Sequence, residues 1–187
     1  MKNIYRIFFL ALLFCAFVKS AAAIGHTVTI NSTPAMCFNA CNGTANAVVS
    51  GGVGPFSYQW VPGNLTTQNV SNLCAGVYTV TVTDQADAST ATATVTITQP
   101  PQVTITIGNL IPATCGFANG SAQIIVSGGV APYTYVWSPS GGISPTLSNA
   151  MAGTYTVTVT DASGCVSFLA VTIPNQGGPN TPTIVAS

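Results

Sequence analysis

The sequence predicts an all-β chain: two tandem immunoglobulin-like (PKD-like) β-sandwich domains after a signal peptide. Three observations carry this expectation. One block occurs twice: residues 51–60 read GGVGPFSYQW and are answered by AGVYTVTVTD at 75–84, while residues 128–137 read GGVAPYTYVW and are answered by AGTYTVTVTD at 152–161, at one constant offset. Apolar and polar residues alternate over short runs, the period of a half-buried strand. Gly, Pro and Asn cluster between the runs, and helical apolar spacing is missing after the leader. About seven short strands per unit, separated by such turns, is the pattern of a sandwich.

The leader comes first. Lys2, Arg6 and Lys19 are the chain's basic residues, and an apolar run at 7–18 is followed by Ala21, Ala22 and Ala23. A basic start, a short apolar run and small residues mark a secretory signal peptide, expected at 1–23. The run is short of the roughly 20 residues that span a bilayer, so no membrane insertion is expected after cleavage. Lipid attachment at Cys15 is disfavoured by the bulky Phe14 before it. The mature chain is expected to be secreted or displayed at the cell surface.

Residues 26–32 alternate as a first strand, and 45–50 form a second that closes on Gly51 and Gly52. Phe56, Tyr58 and Trp60 share one face of a third. Residues 64–72 are polar and irregular, with a short strand possible in their second half. Residues 77–83 are the clearest strand: Tyr78, Val80 and Val82 point one way, Val77 and the threonines the other. Residues 84–88 turn the chain and 90–98 return it. The order repeats at 103–108, 121–127, 133–137, 155–160 and 166–173. Trp60 and Trp137 occupy the place of the core tryptophan on the third strand. Tyr78 and Tyr155, each behind Ala-Gly-x, are placed for a tyrosine corner. All four are assigned to the core, because aromatic area is what a small domain needs in order to fold. The expected units are 24–99 and 100–174, joined by the stiff Gln99, Pro100 and Pro101. Residues 175–187 are read as a linker and the start of a further strand at Thr183, Ile184, Val185 and Ala186, a segment able to add to a free sheet edge.

Charge excludes several functions. Beyond the leader the chain has no Lys, Arg or Glu, and its side-chain charges are Asp84, Asp87 and Asp161, besides His26. Nucleic-acid binding needs basic groups to displace counterions, and attraction to anionic membranes needs them too. Trypsin would find no site in the mature chain. So little charge gives weak repulsion between molecules, which favours association. A catalytic set of convergent nucleophile, base and acid is barely permitted by one histidine and three aspartates, so no catalytic residue is assigned. Asp84 and Asp161 are expected to accept N–H bonds in their turns. Two carboxylates fall short of the six to eight oxygens calcium takes, and zinc spacing is missing, so no metal or other cofactor is expected.

The mature cysteines are Cys37, Cys41, Cys74, Cys115 and Cys165, and an exported chain should oxidise them. The second unit holds just Cys115 and Cys165, whose pairing is the economical one and would contribute about 4 kcal/mol through chain entropy. That pairing requires Cys115 to run back along the sheet toward the turn at 161–164. Failing this, Cys165 would face Cys37, Cys41 or Cys74 at the near end of the first unit and staple the domains. Cys41 with Cys74 is expected in the first unit, leaving Cys37 as a free or intermolecular thiol. Ala88 stands in the first unit where the second has Cys165.

These residues resemble the SprB repeat of cell-surface adhesins of gliding Bacteroidota. The resemblance rests on Cys115, Asn119-Gly120-Ser121, Gly128-Gly129, Pro132-Tyr133, Tyr135, Trp137, Ala152-Gly153, Tyr155, Asp161 and Gly164-Cys165. The first unit keeps most of these, with Phe56 for the first tyrosine and no Gly-Cys. The resemblance implies a tandem module of large surface or secreted proteins, and names no ligand. Two functions follow as expectations: a non-enzymatic adhesion or spacer module that meets surface glycans or other cells, and a subunit of a self-assembling fibre or sheath joined to further copies of itself by strand addition. A third, a carbohydrate-binding module, requires Phe56 or Tyr133 to be exposed.

Overall fold

The structure, a computed structural model, describes residues 25–177. The signal peptide expected at 1–23 and the segment Thr183, Ile184, Val185 and Ala186 lie outside the described residues. No helix occurs among the described residues, so none is long and apolar enough to cross a membrane.

The first unit has β1 (His26–Thr33), β2 (Gly43–Gly51), β3 (Phe56–Val61), β4 (Asn69–Leu73), β5 (Gly76–Asp84) and β6 (Thr90–Ile97). One sheet is ordered β1-β2-β4 and the other β3-β5-β6, and all their pairings are antiparallel. The second unit has β7 (Thr104–Ile111), β8 (Ala113–Thr114), β9 (Gly120–Ser127), β10 (Thr134–Ser138), β11 (Thr146–Ala150), β12 (Gly153–Thr160), β13 (Val166–Ile173) and β14 (Asn175–Gln176). Its sheets, β11-β9-β7 and β10-β12-β13, copy the first pair, and a short parallel pair of β14 with β8 closes one edge. The chain is two tandem immunoglobulin-like β-sandwiches. Each has six main strands rather than seven, and the polar stretch after Trp60 supplies the short β4.

Each sandwich closes over its own core. Trp60 and Trp137 are both 0% exposed, packed among Ala45, Ala47, Val80, Val82 and Ile97 in one unit and Ala122, Ile124, Val157, Val159 and Ile173 in the other. A buried indole N–H must find an acceptor. Trp60 Nε1–H donates to the Thr67 carbonyl at 2.9 Å, and Trp137 Nε1–H to the Ser144 carbonyl at 2.9 Å. Tyr78 and Tyr155 pack half-buried against these cores. Their hydroxyls donate to the carbonyls of Cys74 (3.2 Å) and Met151 (3.1 Å), four residues upstream. The alternation along β5 puts Val80, Val82 and Asp84 inside and Val77 out. Outside, threonines face each other across the strands, as Thr79 with Thr94 and Thr154 with Thr172; such pairs supply polarity and cross-strand support where charge is missing.

The copies differ by one residue in one turn. Asp84 N–H bonds the Ser89 carbonyl, whereas Asp161 N–H bonds the Cys165 carbonyl. The register agrees, since Thr83 faces Thr90 and Thr160 faces Val166. The residue equivalent to Cys165 is therefore Ser89 and not Ala88, which sits at φ 58° where the second unit has Gly164 at φ 82°.

Candidate functional site

The polar groups that the sequence singled out gather at the ends of the sandwiches. Asp84 ends β5 and is almost fully buried. One oxygen, Oδ2, accepts N–H bonds from Val53 (2.8 Å) and Gly54 (3.3 Å), and Oδ1 accepts from Ala86 (2.9 Å). Asp161 repeats this with Val130 on Oδ2 and with Ser163 and Cys165 on Oδ1, each at 2.9 Å. The aspartates thus tie their own turn to the Gly-Gly loop of the neighbouring strand pair. That explains the second glycine of each loop: a Cβ on Gly52 would sit 2.6 Å from the Asp84 carboxylate, and one on Gly129 2.7 Å from that of Asp161. Sequence reading placed these carboxylates in local turns and missed the longer link; the joint recurrence of Gly-Gly-Val and Asp was the available signal.

Both carboxyls are held below the ordinary aspartate value of 3.8, and the causes differ in order. For Asp84 the Val53 and Ala86 N–H donors dominate, outweighing burial. For Asp161 burial pushes upward and is overcome by the donors of Cys165, Val130, Ser163 and Gly164 together. A carboxyl whose folded pKa lies below its unfolded pKa stabilises the fold fully above the unfolded value, and that stabilisation is lost as pH falls through the folded value. The melting temperature of the mature protein is accordingly expected to stay level from neutral pH down to about pH 5 and to fall below 3.8. Asp84→Asn with Asp161→Asn should lower the neutral-pH value and flatten the acid decline in a pH series of thermal melts. An unchanged acid decline in that double variant would show that other groups govern it.

His26 is hydrogen-bonded through both ring nitrogens. Its Nε2 lies 3.2 Å from the Val82 carbonyl, which can only accept, so Nε2 carries the proton; Nδ1 meets Ser89 Oγ at 3.2 Å. The ring is buried and packs against Phe56, with centroids 5.6 Å apart. Asp84 turns its oxygens to N–H donors of its own turn and the Gly-Gly loop, so histidine, serine and aspartate do not line up as a relay. Phe56 and Tyr133, the aromatics a carbohydrate-binding module would expose, are half-buried and packed on the cores, and Tyr133 donates to the Gly128 carbonyl at 2.6 Å.

Two cysteines, Cys37 and Cys165, meet at the seam between the units. Cys37 is bonded to Cys165, with Cα atoms 5.7 Å apart, and Cys41 is bonded to Cys74. Cys115 is free and exposed. The expected Cys115–Cys165 pairing is corrected, and so is the assignment of Cys37 as the spare thiol. The reason is strand length. Cys115 N–H bonds the Gln176 carbonyl beyond the end of β13, while Cys165 precedes its start. The 8 residues of β13 put roughly 25 Å between them, against the 7 Å or less a disulfide tolerates. Cys37 stands in the first unit where Cys115 stands in the second, past the end of β6, so it faces the next unit.

Two clefts flank the staple. One, of about 290 Å³, is lined by Phe38, Pro100, Pro101, Asp161, Gly164 and the disulfide; the other, of about 370 Å³, lies among Pro34, Met36, Gln99, Val130 and Ser163. The linker is fastened on both sides, by Asn39 N–H to Gln99 Oε1 (2.8 Å) and Gly129 N–H to the Pro101 carbonyl (2.8 Å). A further feature is confined to the second unit. On the outer face of β10-β12-β13, Val136 is opposite Thr158 and Thr158 is opposite Phe168, and Phe168 is 77% exposed. The first unit has Gln59, Thr81 and Thr92 in those places.

Comparison with known proteins agrees with this geometry. The sequence model of the SprB repeat matches residues 29–65 and 108–142. Each match takes in the cysteine loop and the Gly-Gly and Trp strand, and stops before the Ala-Gly-x-Tyr strand. No curated protein matches the chain. Among solved structures, the three N-terminal domains of the bacteriophage RB49 Highly Immunogenic Outer Capsid protein superpose with a TM-score of 0.51 at 19% identity, over 81% of this chain and 59% of that one. The chain thus spans about three-fifths of that structure, and the likeness speaks for the fold alone. A C-terminal fragment of intimin in complex with the intimin-binding domain of its translocated receptor is a looser match, with a TM-score of 0.41 at 16% identity over 82% and 64% of the two chains.

Proposed function

Because the chain carries two tandem SprB repeats, we propose that it is a non-enzymatic adhesion and spacer module of the cell surface or extracellular space. SprB repeats occur in cell-surface proteins, and the chain is a repeat module of that type. The observation that carries the reading is the stapled seam. A short proline linker and the Cys37–Cys165 bond hold two sandwiches, meeting near Gln99 and Pro100, in one orientation. This suits an arm that projects a binding face.

The face proposed for contact is the apolar stripe of Val136 and Phe168, whose partners would be surface glycans or other cells. An exposed aromatic flanked by threonines can bury a large area at one spot, and few residues carry most of the energy at such contacts. Beads coated with the mature protein should adhere to bacterial cells or to an immobilised glycan panel. Phe168→Ser should weaken that adhesion about ten-fold, the effect of one good contact residue, without moving the melting temperature. Equal adhesion by Phe168→Ser and the parent protein would remove this face from the reading. The fibre reading draws its support from the exposed thiol of Cys115; polymers under non-reducing size-exclusion chromatography would favour it over the spacer.

A further inference from the structure

Cys115 is one of two copies of the same structural position, and the other copy is bonded. In the first unit, Ala35 N–H bonds the Thr98 carbonyl (2.9 Å) and Met36 N–H bonds Asn42 Oδ1 (2.9 Å), which places Cys37 past the end of β6. In the second, Ala113 N–H bonds the Pro174 carbonyl (2.9 Å) and Thr114 N–H bonds Asn119 Oδ1 (2.9 Å), which places Cys115 past the end of β13. Ala35 and Ala113 are both buried in this link. Gly43 and Gly120 are pressed against Ile97 and Ile173 in the same way. An aromatic follows each cysteine: Phe38 lines the seam cleft, and Phe117 is 67% exposed. The chain leaves the second unit at β14, beside Cys115, as it leaves the first at Gln99, beside Cys37. The far end of the second unit is therefore the equivalent of the surface that the second unit covers on the first.

From this repeated geometry we infer that Cys115 is the attachment point for the next SprB-type unit in tandem, through a disulfide to the cysteine that unit carries in the turn equivalent to 161–165. The asymmetry of the two units fits the scheme. With Ser89 in place of Cys165, the first unit can extend a bond forward but cannot receive one from a unit before it; the second does both. The bond forms by oxidation: the Cys115 thiol and its partner thiol together give up two electrons and two protons, which reduce one low-molecular-weight disulfide such as oxidised glutathione to two thiols. Stapled stacking of this kind needs no adhesive role, so it stands or falls separately from the binding face.

The test uses residues 24–175 followed directly by a second copy of residues 100–187, oxidised in a glutathione redox buffer. One titratable thiol is expected, that of the copied Cys115. With Cys115→Ser in the copy, no titratable thiol should remain and chymotryptic mapping should still recover a Cys115–Cys165 peptide. Cys115→Ser at the native position should raise the count to two thiols. A native Cys115 that stays reactive, a bond between the copied Cys115 and the copied Cys165, or dimers joined through native Cys115 residues would each overturn the inference. So would a copy that fails to fold around its own tryptophan, since the native second unit folds behind the same linker.

Discussion

Trp60→Ala is expected to unfold the first sandwich and leave the second standing. Trp60 is fully buried and its indole N–H is satisfied by the Thr67 carbonyl. Its loss opens a cavity and orphans that acceptor, a change that costs about 3–5 kcal/mol. A domain of this size sits near the low end of the 5–15 kcal/mol typical of folded proteins, so the loss takes most of its stability. Each unit holds one tryptophan, which makes the readout selective. In Trp60→Ala the remaining emission comes from Trp137, and its melting curve should match that of the parent protein within a few degrees. Trp137→Ala should give the mirror result. If the surviving tryptophan melted early by the same amount in each variant, the two units would share one cooperative core and the tandem description would be wrong.

That separation into two cores was legible before any coordinates, and physical reasons explain why other features were not. The alternation along β5 and β12, the tryptophan on β3 and β10 and the tyrosine behind Ala-Gly-x are local patterns, each forced by strand geometry within a few residues. Cysteine pairing is different: which thiols meet depends on where strand ends fall in space. The length of β13 separates Cys115 from Cys165, and that length can be counted, but the closeness of Cys37 to Cys165 depends on the bend of the Gln99, Pro100 and Pro101 linker. The link from Asp161 to Val130 was hidden for a similar reason, since side-chain periodicity says which face a residue takes and not which loop lies across from it. The Ser89 equivalence was masked by one extra turn residue, which a constant offset cannot absorb.

Removing the staple with Cys37→Ser and Cys165→Ser is expected to leave both sandwiches folded, to lower the overall stability and to free their relative orientation. The bond closes a sequence separation of 128 residues, for which chain entropy predicts a contribution of about 5 kcal/mol. Both units are constrained by it, so each should lose part of that amount, and the melts followed by tryptophan emission should move to lower temperature in both. Small-angle scattering should show a broader spread of end-to-end distances. The linker remains fastened by Asn39 and Gly129, which limits the swing without fixing it, because two N–H bonds are each worth only about 0.5–1.5 kcal/mol net. Cys41→Ser with Cys74→Ser is the control. That bond spans 33 residues within the first unit, so its loss should lower the melt of that unit alone and leave the scattering profile unchanged. Should the staple variant scatter and melt like the parent, the orientation of the arm would reside in the proline linker, and the cysteines at the seam would have no mechanical part in it.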